Sequence, residues 1–388
     1  MVGERAVSSG GDGLDELETP CLLLDADRLK ANVDGMRARL DGLGVTLRPH
    51  LKTAKSLAVA RVAMAQASGP ATVSTLREAE YFAEGGVRDM IYAVGIAPQK
   101  LDRVGAIRRR WGADLAIVLD SIVQADAVAA WGQRTGDTLP VLIEVDGDGH
   151  RSGVGPHDGE RLVGIGRALA PGAALRGVLL HAGDSYGLHD PAALRDAAEA
   201  ERAAAVAAAS ILRAAGLPCP VVSVGSTPTA RYAERLDGVT EMRAGVFMIG
   251  DLFQAGVGSC AVADIALTVL ATVIGHQREK GWIITDAGWM ALSRDRGTAA
   301  QSVDQGYGVV CDRAGRPLRD LIVRGANQEH GILAVRQGST ATLPDLPIGT
   351  RLRILPNHAC ATGAQHDRYH VVADGKHTGE IWPRINGW

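Results

Sequence analysis

GVTLRPHLKT (Gly44–Thr53) is a short apolar run that closes on a histidine, a lysine and a hydroxyl. Val45, Thr46 and Leu47 read as a buried strand, and His50, Lys52 and Thr53 then fall at its carboxyl end. The same texture recurs in ATVST, DMIYAV, DLAIVLD, LPVLIEVD, LRGVLLHAG, CPVVSVGS and VTEMRAG. Helix-like stretches separate most of these runs, among them SLAVARVAMAQA, LREAEYFAEG and the alanine-rich AALRDAAEAERAAAVAAASILRAAG. Eight apolar strands alternating with helices over about 220 residues is the count of a (β/α)8 TIM barrel. A doubly wound sheet alternates too, but no GxGxxG fingerprint opens the first helix.

Upstream, TPCLLLD is a further apolar strand. Asp25 is placed to cap a helix whose Leu29, Val33, Met36 and Leu40 share one face. Beyond residue 262 helical periodicity fades. IALTVLATVIGHQ, GWIITDAGW, YGVVCD, DLIVRGA, HGILAV, RLRILPNHAC and RYHVVAD follow one another with Gly, Asp and Pro between them, an all-β module of about 125 residues. The expected architecture is α/β: a barrel over 26–262, and a β domain from 263–388 that residues 1–25 join through the first strand.

Hydrophobic residues make up 46% of the 388, enough for a sizeable core, and the 48 glycines point to many tight turns. A net charge of −3 argues against a nucleic-acid partner, and Arg108-Arg109-Arg110 reads as a solvated helix face. Five scattered cysteines without a CxxC pair suit a reducing, cytoplasmic setting rather than a disulfide framework. MVGERAVSSGGDGLDELETP lacks the apolar core of a signal peptide and reads as a flexible lead-in. No apolar run reaches the roughly 18 residues of a membrane span.

Barrel enzymes build their sites at the carboxyl ends of the strands. There the runs place His50 and Lys52, Ser74-Thr75, DGDGHRSGV with Arg151, His181 with Tyr186 beyond it, Gly225-Ser226-Thr227, and Arg243-Ala244-Gly245. The Gly-Ser-Thr turn after the seventh strand and the Ala-Gly after the eighth are where barrels bind phosphate through backbone N–H groups. A phosphate site combined with a strand-end lysine points to pyridoxal 5'-phosphate, which needs an amine for its aldehyde and an anchor for its phosphate. Lys52 is the candidate amine and Lys55 its decoy, expected to open the next helix.

In the β module, His358 and Cys360 stand two apart with His366-Asp367 following. On an extended strand two such residues share a side, so one soft divalent cation can take both. Two protein ligands leave positions open for water or substrate, as a catalytic metal requires. The alternative is a buried strand histidine beside an inert cysteine.

Taken together, RPHLKT (48–53), VSTLREAE (73–80), GHRSGVG (149–155), HAGDSY (181–186), VGSTPT (224–229), RAG (243–245), DAGW (286–289), NQEHG (327–331) and PNHAC with the following HD resemble the fold-type III pyridoxal-phosphate enzymes of the D-serine dehydratase and D-threonine aldolase group. The resemblance runs from Thr19 over nearly the whole chain. It implies an alanine-racemase-like barrel with a β domain, a homodimer, and Lys52 as the cofactor-binding and catalytic lysine. It further implies His358 and Cys360 as ligands of Zn, Mn or Mg, with Gly225, Ser226, Thr227 and Gly245 around the phosphate. Arg151, His181 and Tyr186 fall beside the cofactor. VSTLREAE, VGSTPT and a cysteine as second ligand lean toward the dehydratase branch, which acts on D-serine and D-threo-3-hydroxyaspartate. Retro-aldol cleavage to glycine and an aldehyde is the competing outcome. A racemase has no use for a metal at a β-hydroxyl, and a non-catalytic pyridoxal-phosphate-binding barrel lacks the β module. Ala54 departs from the group, where many members carry histidine. Arg294, Arg296 and His330 are candidates for a second substrate carboxylate.

Overall fold

The computed structural model describes residues 12–149 and 151–388; the start of the lead-in and His150 of the GHRSGVG motif lie outside the described residues. The chain divides into two compact units, one holding 31–248, 254–261 and 385–388, the other 249–253, 262–384 and the residues up to Lys30.

Strand β1 (Cys21–Asp25) leads into helix α1 (Ala26–Gly42). Asp25 Oδ1 accepts the Arg28 N–H at 3.0 Å, the expected cap, and Leu29, Val33, Met36 and Leu40 are all buried. The first unit is then laid down as β2 (Thr46–Pro49), β3 (Ala71–Val73), β4 (Asp89–Gly95), β5 (Asp114–Leu119), β6 (Leu139–Val145), β7 (Ala173–Leu180), β8 (Val221–Val224) and β9 (Glu241–Ala244). All eight pair in parallel in the order β2-β9-β8-β7-β6-β5-β4-β3. A His50–Thr72 bridge and the Leu51 N–H on Thr72 O (2.9 Å) join the two ends, closing the barrel. Ile91, Ala116, Val118, Leu142 and Leu179 pack as one apolar cluster. Elsewhere buried polar groups satisfy one another. Arg48 pairs with Glu241 (2.7 Å) and Asp89 (2.7 Å), while Arg243 donates to Ser223 Oγ (2.6 Å) and Leu180 O (2.8 Å).

The second unit contains β10 (Leu267–Gln277), β11 (Trp282–Thr285), β12 (Gly308–Cys311), β13 (Pro317–Ala326), β14 (Gly331–Val335), β15 (Arg351–Pro356), β16 (Arg368–Ala373) and β17 (Lys376–Pro383). The order is β11-β14-β13-β12-β15-β10-β1-β16-β17, and β10 also pairs with β11, so six strands form a closed antiparallel ring. β1 extends this sheet between β10 (antiparallel) and β16 (parallel), as its apolar run predicts. Long-range pairing of that kind leaves the barrel rims and the β15–β16 connection as the places where functional side chains gather.

Candidate active site

In the barrel unit the residues after β2 form a turn whose backbone is held from both sides. His50 N donates to Ala244 O at 2.7 Å, and Leu51 N donates to Thr72 O. Leu51 and Ala54 are wholly buried while Lys52 is exposed, so two apolar anchors hold the turn and present the lysine outward. The departure at Ala54 now has a local meaning, since this position is enclosed and a larger side chain would have to be buried there. Lys52 joins no ion pair among the described residues. Lys55 has its Nζ 3.2 Å from Glu78 Oε1, and that fully buried carboxylate also accepts from Ser74 N (2.9 Å) and Ser74 Oγ (2.9 Å). Lys55 is therefore a structural lysine. It sits at φ 48° ahead of the helix Leu57–Ala63, not in that helix as its spacing suggests.

His181, after β7, places Nδ1 2.7 Å from Gly225 O. A carbonyl only accepts, so Nδ1 carries the proton and Nε2 keeps its lone pair. Burial pushes the ring's pKa down to about 3, against the pull of that hydrogen bond. Burial, then the positive charges of Lys52 and Arg243, likewise hold His50 well below the usual histidine range, and His181 and Arg151 act on it too. Lys52, Arg151, His181 and Arg243 thus gather around His50. Tyr186 is half-buried, its ring 6.1 Å from that of His181. Arg151 is exposed, 3.4 Å from Glu144, whose carboxyl is raised above its ordinary pKa by burial.

The Gly-Ser-Thr turn is more internally committed than its sequence suggests. A Cβ on Gly225, at φ 144°, would lie 1.9 Å from Arg243 O, so only glycine fits. Gly225 N donates to Glu201 Oε1 (2.9 Å), and Ser226 exchanges hydrogen bonds with Thr229 in a capping box. Thr227 is freer: its N–H reaches Tyr186 Oη at a long 3.5 Å, and its Oγ1 accepts from Phe247 N (3.2 Å). A Cβ on Gly245 would come 2.8 Å from His50 O, so its bare backbone lets the end of β9 lie against the lysine turn. Glu201 was not foreseen. Its single oxygen also accepts Ala182 N at 3.0 Å, tying the loops after β7 and β8 together. The signal was present: Leu194, Ala198, Glu201, Ala205 and Ala208 form one buried helical stripe, with an acid where the pattern calls for an apolar residue.

In the β unit the extended-strand argument for the histidine–cysteine pair is corrected. β15 ends at Pro356; His358 is the N-cap and Cys360 lies in the first turn of the short helix Ala359–Gly363. The two still meet, because the helical turn brings the Cys360 side chain back to the ring. Burial works against a charged His358, but hydrogen bonding and charge from Cys360, with Asp251 and Asp295, push its pKa up to about 10. Asp295 Oδ2 lies 2.6 Å from His358 Nδ1, and buried Asp251 accepts the Ala359 N–H at 2.8 Å. Neither acid was legible beforehand. His366 is not part of this group; its Nε2 bonds Ala291 O at 3.0 Å. Arg296 pairs with Asp304, Arg294 stacks over Trp289 at 5.1 Å, and His330 is exposed.

Residues 24–252 match the alanine racemase N-terminal domain, and 266–372 match a putative serine dehydratase domain. D-threo-3-hydroxyaspartate dehydratase from Delftia sp. is 55% identical over 97% of this chain and 100% of its own length. The chain belongs to the family of that dehydratase. The family also includes a D-threonine aldolase from Arthrobacter sp., 29% identical over 96% of this chain and 93% of the aldolase. The solved structure of the Delftia enzyme superposes with a TM-score of 0.92 at 54% identity, covering 97% of this chain and 99% of that one. Histidine-to-alanine and cysteine-to-alanine variants of that enzyme are also solved, the latter in a metal-free form, each with a TM-score of 0.93.

The residues present fit both groups that the family implies. An exposed amine at a barrel strand end, with no ion-pair partner among the described residues and beside a turn whose glycines admit no Cβ, suits an aldehyde bearing a phosphate. An imidazole and a thiol in contact, with carboxylates behind them, suit a borderline-soft divalent cation. Among the described residues no third metal donor joins them, which leaves coordination positions open.

Proposed function

We propose that this chain is a pyridoxal-phosphate- and divalent-metal-dependent carbon–oxygen lyase that converts D-threo-3-hydroxyaspartate to oxaloacetate and ammonia, or D-serine to pyruvate and ammonia. The observation that carries the reading is the 55% identity to a D-threo-3-hydroxyaspartate dehydratase along essentially the whole of both chains. A second feature supports it. The histidine and cysteine replaced in the two variant structures stand two positions apart, as His358 and Cys360 do.

When bound, pyridoxal phosphate supplies an electron sink at the substrate's α-carbon, and a divalent cation supplies a Lewis acid for the β-hydroxyl. Lys52 would hold the cofactor, and its amine would take the substrate's α-proton. Its exposure, and the lack of an ion pair among the described residues, leave it available for both roles. His50 and His181, held below the usual histidine range chiefly by burial, add no positive charge near Lys52. Thr227 and Gly245 would hold the phosphate. Gly225 and Ser226 shape the turn that presents them, and Arg151, His181 and Tyr186 would contact the cofactor ring. His358 Nε2 and Cys360 Sγ would hold the cation. The β-hydroxyl leaves as water, and hydrolysis of the carbon–nitrogen bond then returns that water's atoms and releases ammonia with the oxo acid. In this reading residues 26–262 form the cofactor domain, 1–25 and 263–388 carry the metal ligands, and the enzyme works as a cytoplasmic homodimer.

The aldolase relative favours a second outcome, retro-aldol cleavage by the same groups. A product assay decides between them. Incubation with D-threo-3-hydroxyaspartate should yield ammonia and oxaloacetate in equal amounts. Glycine and glyoxylate in their place would overturn the dehydratase reading.

A further inference from the structure

The segment after the short helix Trp289–Leu292 is fastened to the residues around His358 at several separate points. Ala291 O accepts from His366 Nε2 (3.0 Å), and Leu292 O accepts from Thr362 Oγ1 (2.8 Å). Thr298 N donates to Asn357 Oδ1 (3.1 Å), and Asn357 Nδ2 donates back to Thr298 Oγ1 (2.7 Å). Asn357 immediately precedes His358 and is buried. Between these fastenings lies Asp295, itself oriented at both ends. Its N–H donates to Ser293 Oγ (3.2 Å), and its Oδ1 accepts from Gly297 N (2.8 Å). That leaves Oδ2 aimed at His358 Nδ1, 2.6 Å away.

We propose that Asp295 is a positioning residue for the metal centre, holding the Nδ1–H of His358 so that Nε2 is the ring atom presented to a divalent cation. The inference rests on reading His358 and Cys360 as the metal pair. A carboxylate only accepts, so Nδ1 keeps its proton, and when a cation displaces the ring's other proton the lone pair freed is that of Nε2. The same bond makes the imidazole a better ligand and restrains its rotation, the part that outer carboxylates play behind metal-bound histidines. The fastenings on either side keep the carboxylate in place without the metal, so the ring is oriented before the cation arrives. Asp251 serves the backbone of the same turn through Ala359 N, and so has a separate task.

The test is a Zn2+ titration of the full-length, pyridoxal-phosphate-loaded protein against a chromophoric chelator, comparing the parent with Asp295→Asn, Asp295→Glu and His358→Ala. Asp295→Asn keeps the shape but turns the acceptor into a mixed donor–acceptor amide. It should weaken Zn2+ binding roughly 10–100-fold while the cofactor's visible absorbance and the melting temperature stay with the parent. Asp295→Glu should recover part of the loss. Nitrogen NMR of the Zn2+-loaded parent should show His358 protonated at Nδ1 and bound through Nε2, with that preference reduced in Asp295→Asn. Zn2+ affinity within twofold of the parent in Asp295→Asn, together with a large loss in His358→Ala, would overturn the positioning role alone. Equal affinity in the parent and His358→Ala would instead overturn the metal reading beneath it. If Asp295→Asn does not fold, an Asp295→Ala protein whose Zn2+ affinity stays within twofold of the parent overturns the proposal equally well.

Discussion

Glu201 gives the sharpest test of how the barrel unit holds its site. Its Oε1 accepts two buried backbone donors, Ala182 N at 3.0 Å and Gly225 N at 2.9 Å, from the loops that carry His181 and the Gly-Ser-Thr turn. Glu201→Ala removes the acceptor from both. Each stranded N–H costs about 1–3 kcal/mol, so the pair costs about 4 kcal/mol. In a unit of this size 1 kcal/mol moves the melting temperature by about 2–4 °C, which sets the expected drop near 8–16 °C. Glu201→Gln keeps an acceptor in the same place. Because burial already raises the Glu201 pKa, removing its charge forfeits little, and the drop should be about 2–4 °C. The loops also shape the phosphate turn, so Glu201→Ala should bind pyridoxal phosphate about tenfold more weakly, equivalent to about 1.4 kcal/mol. Thermal melts and cofactor titration of the two variants check this. A Glu201→Ala protein that melts within about 2 °C of the parent would show that the loops are held by something else. Equal losses in the two variants would show that charge, not acceptor geometry, is what matters.

Two further outcomes concern the lysines and the histidines. Lys52→Ala should lose the visible absorbance of bound cofactor and all turnover at nearly unchanged stability. Lys55→Ala should keep the absorbance yet lose about 3 kcal/mol, because it strands the fully buried Glu78; urea unfolding with absorbance spectra separates the two. His181 titrates near 3 when folded against about 6.5 when unfolded, so the unfolded chain binds its proton first as pH falls. Stability should therefore decline between about pH 6.5 and 3, and His181→Gln should remove up to about 1.4 kcal/mol per pH unit of that slope in urea melts at pH 6 and 5. An unchanged slope would contradict a neutral, buried His181.

The route from sequence to site was uneven for a physical reason. Strand–helix alternation is a local property with its own periodicities, so the barrel, its order and the rule that chemistry sits at carboxyl strand ends could all be read along the chain. Lys52, His181 and the Gly-Ser-Thr turn follow from that rule. The histidine–cysteine spacing was also visible, although its backbone is a helix cap and not a strand. Partners across long separations were not visible. Asp295 meets His358 across 63 residues and Glu201 meets Gly225 across 24, and no local pattern encodes such meetings. Only for Glu201 did an acid on an otherwise apolar helical stripe give warning.

By itself, then, the order of residues determined two things. It set the class of fold, through periodicities of two and 3.6 that depend on near neighbours alone, and it set the inventory of reactive groups. Which of two lysines three positions apart is held in an ion pair, which histidines stay neutral and which nitrogen of His358 faces a carboxylate were decided by tertiary structure. Each depends on burial and on a charge or carbonyl brought from a distant strand or loop. Glu78 is buried against Lys55 and not Lys52, Gly225 O is set against His181, and Asp295 is pinned behind His358.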